Sequence, residues 1–199
     1  MSKLDLGNNE FINYEFHENS GKPTIVFSNS LGSDLNMWNP QVEFFKNDYQ
    51  LVLYDKRGHG KSSPIQGPYN FDMLENDVIS IMDELNITTA HFIGLSMGEM
   101  TSLGLALKYP HRFNKMVCCA ARADMPPPAI ESWDQRMAVV EEKGTEGVVQ
   151  GSIERWFSDE FRNDSSNSDI INKAGEMIKS TSVQGYIGSC NAIKGLDYL

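Results

Sequence analysis

The spacing of apolar residues changes along the chain, and each change marks an element. Residues 3–8 and 11–18 alternate, with Ile12, Tyr14 and Phe16 set against Phe11, Asn13 and Glu15. That two-residue period predicts two half-buried strands, turned at Asn8-Asn9. Thr24–Phe27 and Gln50–Asp55 are short continuous apolar runs, as expected of parallel strands covered on both faces. Between and after them the period lengthens. Trp38–Phe45 suits a short helix. Phe71–Leu85 places Leu74, Val78, Ile81, Met82 and Leu85 on one helical face, with acids opposite. His91–Leu95 is again strand-like, Met100–Lys108 helix-forming, and Phe113–Ala121 strand-like around Met116–Cys119.

Strands alternating with helices predict an α/β fold with a mostly parallel, doubly wound sheet. In such sheets ligands bind beyond the carboxyl ends of the strands. Three loops emerge at that edge: Ser28–Ser33, Lys56–Ser62 and the turn at Ser96. After Ala121 the pattern becomes helical. Met125-Pro126-Pro127-Pro128 reads as a rigid hinge. Beyond it lie amphipathic segments at Ile130–Lys143, Thr145–Trp156, Asp169–Ser180 and Thr181 to about Lys194, with a polar loop at Asn163–Ser168. Residues 1–124 are therefore expected to form the core and residues 125–199 a helical lid over the strand ends.

Charge narrows the partners. Seventeen basic and 27 acidic residues leave a net charge of −10. The summed field repels phosphate backbones, so nucleic acid is a poor partner. No apolar run reaches the roughly 18 residues of a membrane span, and Met1–Glu10 lacks the apolar stretch of a signal peptide. A cytoplasmic, membrane-free protein is expected. Cys118, Cys119 and Cys190 offer neither a disulfide framework nor metal-ligand spacing. No metal or cofactor is expected.

The candidate chemistry sits in Gly94-Leu95-Ser96-Met97-Gly98. An apolar strand runs into this Gly-x-Ser-x-Gly and a helix follows, the context a nucleophile elbow requires. The turn is so tight that positions 94 and 98 admit no side chain. It lifts the serine hydroxyl clear of the backbone at a helix start, where free N–H groups favour a developing anion. Glu99, in the first helical turn, suits the helix dipole and needs no catalytic role.

Three stretches carry a resemblance. Ile25-Val26-Phe27-Ser28-Asn29-Ser30-Leu31-Gly32-Ser33-Asp34-Leu35-Asn36-Met37-Trp38, Tyr54-Asp55-Lys56-Arg57-Gly58-His59-Gly60-Lys61-Ser62 and Gly94–Gly98 together resemble the α/β-hydrolase family, and within it the 3-oxoadipate enol-lactonases and related small esterases. Glu154-Arg155-Trp156-Phe157 is similar to their lid. The resemblance runs from about Thr24 to Leu199. It implies a serine hydrolase acting on a small lactone or carboxylic ester, without a cofactor. Ser96 would attack the carbonyl, and the backbone N–H groups of Leu31 and Met97 would hold the oxyanion. An enol-lactone carrying a carboxylate would need a cation over Ser96. Arg122, Arg136 and Arg155 are the candidates, with Trp133 as a neighbouring aromatic. Trp133 and Trp156 are otherwise expected in the lid core.

A serine hydroxyl needs a base, and the family places its acid and then its histidine after later strands. The sequence reads as a shortened member that lacks the last two strands and with them both residues. The four histidines do not replace them. His91 lies five residues before Ser96 on the same strand, about 16 Å away. His17 is in an outer strand and His111 follows the helix. His59 lies at the correct edge, two strands away, and is expected to serve loop packing. Asp124 is the candidate acid to orient a histidine if one were present; Asp55 is expected to brace the Arg57–Gly60 turn. Two classes stay open: a lactone or ester hydrolase, including a general carboxylesterase, and an inactive or ligand-binding fragment. An exposed edge at Met116–Ala120 predicts pairing with a second copy.

Overall fold

The computed structural model describes residues 2–120 and 122–199. The first two strands, β1 (Ser2–Gly7) and β2 (Glu10–His17), form the expected hairpin. Its turn residues Asn8 and Asn9 have φ of 54° and 63°, the left-handed pair that a tight hairpin needs and asparagine tolerates. Then β3 (Thr24–Ser28), β4 (Gln50–Tyr54), β5 (Ala90–Leu95) and β6 (Phe113–Cys119) follow, with α1 (Asn39–Phe45), α2 (Phe71–Glu84) and α3 (Met97–Lys108) between them. The expected end of the sixth strand, Ala121, lies outside the described residues.

The sheet order is β1-β2-β4-β3-β5-β6. The first pairings, β1 with β2 and β2 with β4, are antiparallel; the pairings of β3 with β4, β3 with β5 and β5 with β6 are parallel. The chain thus leaves β3 toward β4 on one side and returns to β5 on the other. That reversal is a topological switch point, where open sheets form their ligand crevice. In register, Ser28 faces Gly94, so the loops after β3 and β5 start side by side.

Both sheet faces are covered. Val26, Val52, Phe92, Val78, Ile81 and Met82 fill one side. Ile25, Phe27, Leu51, Leu53, Trp38 and Val42 fill the other. Central strands buried on both faces explain why their sequences run apolar without alternation. The outermost strand, β6, is covered less, with Val117 49% exposed and Cys118 exposed.

The helices after β6 are α4 (Pro127–Lys143), α5 (Val149–Trp156), α6 (Asp159–Asn163), α7 (Ser168–Ser180) and α8 (Val183–Lys194). Three expectations need correcting here. Pro127 and Pro128 are not hinge but the first turn of α4, because a proline there gives up an N–H that has no helical partner anyway. The expected polar loop Asn163–Ser168 carries a helical turn at Ser165–Asn167 and follows α6, whose start is capped by the Ser158 hydroxyl accepting from Phe161 N at 3.2 Å. Trp156, expected in a buried core, is 39% exposed, whereas Trp133 packs against buried residues. The chain's last residues pair with the segment after β6: Met125 N donates to Leu196 O and Tyr198 N to Ala123 O, at 3.1 and 2.8 Å. Among the described residues no helix is long and apolar enough to cross a membrane.

Candidate active site

Ser96 joins β5 to α3 with φ 55° and ψ −114°. Such a backbone in a residue with a Cβ costs on the order of 1–3 kcal/mol and persists only where its surroundings enforce it. They do so through glycines. A Cβ on Gly94 would stand 2.4 Å from Gly98 O, and one on Gly98 would stand 2.0 Å from Ser28 O. The turn is pinned from β6 as well, where Cys119 O accepts from Ser96 N at 2.8 Å. Met97 is the first residue of α3, so its N–H is one of the donors a helix start leaves unpaired.

The loop after β3 lies against this turn. Ser30 O accepts from the Ser33 hydroxyl at 3.0 Å, and Gly32 N donates to His59 Nε2 at 3.1 Å. The Leu31 peptide is therefore held on both sides. Gly32 has φ +75°, and a Cβ there would already touch Ile178 of α7 and Tyr186 of α8 at 3.4 and 3.5 Å. Leu31 and Met97 share a buried cluster with Val140, Ile178, Tyr186 and Cys190. The helices after β6 thus pack against the side chains of Leu31 and Met97.

His59 is fully buried. Its loop does fold inward, which was not expected, but both ring nitrogens are taken: Nδ1 donates to Arg57 O at 2.9 Å and Nε2 accepts from Gly32. Burial lowers its pKa to about 4, opposed by the Arg57 carbonyl and aided by Lys56. The ring is a neutral brace under the Leu31–Gly32 peptide. Among the described residues the other histidines lie elsewhere: His91 beside Tyr49, His17 beside Glu15, His111 in the exposed turn before β6.

Asp55 does brace the loops. Its carboxylate accepts from Leu35 N, Lys61 N and the Asn13 amide at 2.8, 2.9 and 2.8 Å. Burial raises its pKa, and those three bonds oppose the rise. A Cβ on Gly60 would collide with this carboxylate at 2.4 Å. Arg57 closes the loop from outside with a two-pronged pair to Asp77, at 2.6 and 2.7 Å.

The arginine candidates separate. Arg136 stacks on Trp133, its guanidinium carbon 4.4 Å from the ring. It acts together with Arg155 on buried Tyr186, whose pKa burial raises and the two guanidinium groups lower. Burial and then Arg136 lower the pKa of Arg155, as expected for neighbouring like charges. Arg155 donates to the Ser152 hydroxyl at 2.9 Å; neither arginine forms a salt bridge with a described carboxylate. Arg122 stands apart in the segment after β6, exposed and paired with Asp124 at 3.3 Å. Asp124 forms a single antiparallel bridge with Asp197. Tyr186, which links the arginines to Gly32, was not singled out from sequence: a tyrosine on an apolar helix face reads as core.

Comparison with known proteins agrees with this geometry. A profile of the alpha/beta hydrolase fold matches residues 23–186. The chain is 37% identical over 186 residues to 3-oxoadipate enol-lactonase 2 of Acinetobacter baylyi, and 39% over 175 residues to enol-lactonase 1 of that organism. These alignments cover 94% and 88% of this chain, and 68% and 64% of the relatives. The chain thus spans about two thirds of their length. Among solved structures, the enol-lactonase of Burkholderia xenovorans superposes with a TM-score of 0.89 at 32% identity, over 96% of this chain and 72% of that one. A hydrolase from Pseudomonas aeruginosa gives 0.90 at 30%, over 98% and 73%.

Proposed function

The chain belongs to the α/β-hydrolase family, and from that premise we propose that it carries the nucleophile, anion cradle and lid of a hydrolase for small carboxylated lactones, of the 3-oxoadipate enol-lactone type. The backbone of Ser96 carries this reading: a serine strained between a strand end and a helix start, with glycines that no side chain could replace. Ser96 Oγ attacks the lactone carbonyl. The Leu31 and Met97 N–H groups receive the oxyanion as it forms, where donors already in place act most strongly. The bond from that carbonyl carbon to the ring oxygen breaks, the ring oxygen takes up the proton given up by Ser96, and water then hydrolyses the Ser96 ester to release the acid.

Residues 125–199 act as the lid and set the substrate class. Arg136 on Trp133, with Arg155 beside it, places two cations next to the Tyr186–Gly32 contact in a chain of net charge −10. A substrate carboxylate satisfies them, through the two-pronged geometry that guanidinium favours. Arg122, exposed and already paired with Asp124, has no part in this reading.

Deprotonating Ser96 requires a base other than His59, both of whose nitrogens are engaged. Imidazole added from solution should serve in its place. Hydrolysis of a p-nitrophenyl ester by the 199-residue chain is expected to rise with imidazole above the protein-free rate, and Ser96→Ala to remove the increment. Arg136→Ala is expected to raise KM for a carboxylated lactone about 10- to 100-fold, the worth of a charged hydrogen bond, and to leave a neutral ester unaffected. Equal imidazole-dependent rates in parent and Ser96→Ala would overturn the assignment. An equal effect of Arg136→Ala on both substrates would favour a general carboxylesterase.

A further inference from the structure

Behind the candidate oxyanion loop lies a charge that the reaction above leaves unused. Lys56 follows β4 and is 1% exposed, yet its Nζ donates to the main-chain carbonyl of Asn29. That carbonyl borders the elbow, since a Cβ on Gly98 would stand 3.0 Å from it. The Asn29 side chain is anchored separately: Nδ2 donates to Tyr54 O at 3.1 Å and Oδ1 accepts from Trp38 Nε1 at 2.9 Å. The side chain thus fixes where Asn29 sits, and the ammonium fixes how its carbonyl is turned.

A peptide unit is planar. Gripping the Asn29 oxygen therefore sets the plane that carries Ser30 N, and with it the path by which the chain reaches Leu31. The far side of Leu31 is held by Gly32 N on His59. Between these two anchors the Leu31 N–H has little freedom.

Burying an ammonium against a neutral carbonyl is costly. The charged and titratable groups around it are few. Asp55, next in the chain, attracts it; His59 is neutral; the Tyr54 ring lies 5.6 Å from Nζ. Burial brings the Lys56 pKa down to about 7, against the pull of Asp55. An apolar side chain of similar length would fill the space without that cost and without gripping the carbonyl.

We propose that Lys56 is a positioning residue of the oxyanion hole, whose ammonium holds the Asn29 carbonyl and thereby aims the Leu31 N–H at the carbonyl oxygen of the substrate. The inference rests on Ser96 being the nucleophile. It predicts that losing the ammonium slows attack by Ser96 without changing how tightly a ligand enters the site.

The experiment uses a fluorophosphonate probe on the 199-residue chain, with imidazole present and the adduct located by peptide mass spectrometry. Lys56→Met removes the grip and keeps the bulk. Lys56→Gln keeps an N–H donor on a shorter arm. Both are first checked for cooperative unfolding, so that one folded variant suffices. The expected result is a maximal labelling rate for Lys56→Met about tenfold or more below the parent, a lesser loss than removing an oxyanion donor outright, with the half-saturating probe concentration unchanged. Lys56→Gln is expected to fall in between. A folded variant that labels Ser96 within twofold of the parent overturns the proposal. So does a loss seen only in the half-saturating concentration. A parent that acquires no adduct on Ser96 overturns instead the reading on which the proposal rests.

Discussion

His59 gives the sharpest quantitative test of how this loop is built. In the fold the ring is fully buried and neutral, with a pKa near 4 instead of the ordinary 6.5. A proton on Nε2 would point it at the N–H of Gly32, the group that nitrogen now accepts from. The unfolded chain carries no such restriction and binds a proton around 6.5. Between these values the unfolded state holds more protons than the folded one, so stability rises with pH. The contribution is present in full above 6.5 and is lost as pH falls toward 4. A difference of 2.5 between the values of 6.5 and 4, at 1.36 kcal/mol per unit, amounts to about 3.4 kcal/mol in all. At about pH 4.5 the two-state expression gives a loss of roughly 2.4 kcal/mol relative to neutral pH. His59→Gln removes the titrating ring while leaving every other carboxylate and amine in place. Urea unfolding of parent and variant across this range, followed by tryptophan fluorescence, isolates the term, because all other titrations cancel in the difference. The parent should lose on average about 1.1 kcal/mol more per pH unit than the variant between 6.5 and 4.5. Parallel pH profiles would refute the reasoning. So would a parent that gains on the variant as the pH falls.

Other expectations follow from the same contacts. Gly98→Ala sets a Cβ 2.0 Å from Ser28 O and 2.6 Å from Ser28 C, both backbone, so it should destabilise by about 1–3 kcal/mol and abolish probe labelling of Ser96. Gly151→Ala is its control: in α5 the nearest atom is the mobile end of Arg155, 3.5 Å away, and urea unfolding should show a gain of up to about 1 kcal/mol. Arg57→Ala leaves the Asp77 carboxylate, 4% exposed, without its partner and should cost about 3–5 kcal/mol by the same measurement. Arg57→Lys should recover only part of that, since an ammonium cannot reproduce the two-pronged contact.

Much of this was legible in the chain because it is local. The elbow is written in five consecutive residues and their flanks, and its glycines are required by atoms within the same turn or the adjacent strand. The buried strands announce themselves as unbroken apolar runs because both faces are covered. The convergence of the loops after β3 and β5 follows from parallel connections alone. What the sequence concealed depends on distant partners. Lys56 and Lys61 look alike on paper, yet Lys56 is turned inward onto Asn29, a residue 27 positions earlier. His59 folds under Gly32 because the Arg57–Asp77 pair and the Asp55 carboxylate pull its loop in. The start of α4 was misplaced because prolines usually break helices, and their tolerance in a first turn is positional. Trp156 ends α5 away from its buried residues Ser152 and Ile153, and which face of that helix is buried depends on how it packs.

The proposed function stands or falls on Ser96 as the attacking group. Peptide mapping after fluorophosphonate treatment in the presence of imidazole tests it directly. A covalent adduct on Ser96 is expected, formed faster as imidazole is raised and absent in Ser96→Ala. A parent protein with no adduct at Ser96, or a Ser96→Ala protein labelled to the same extent, would contradict it.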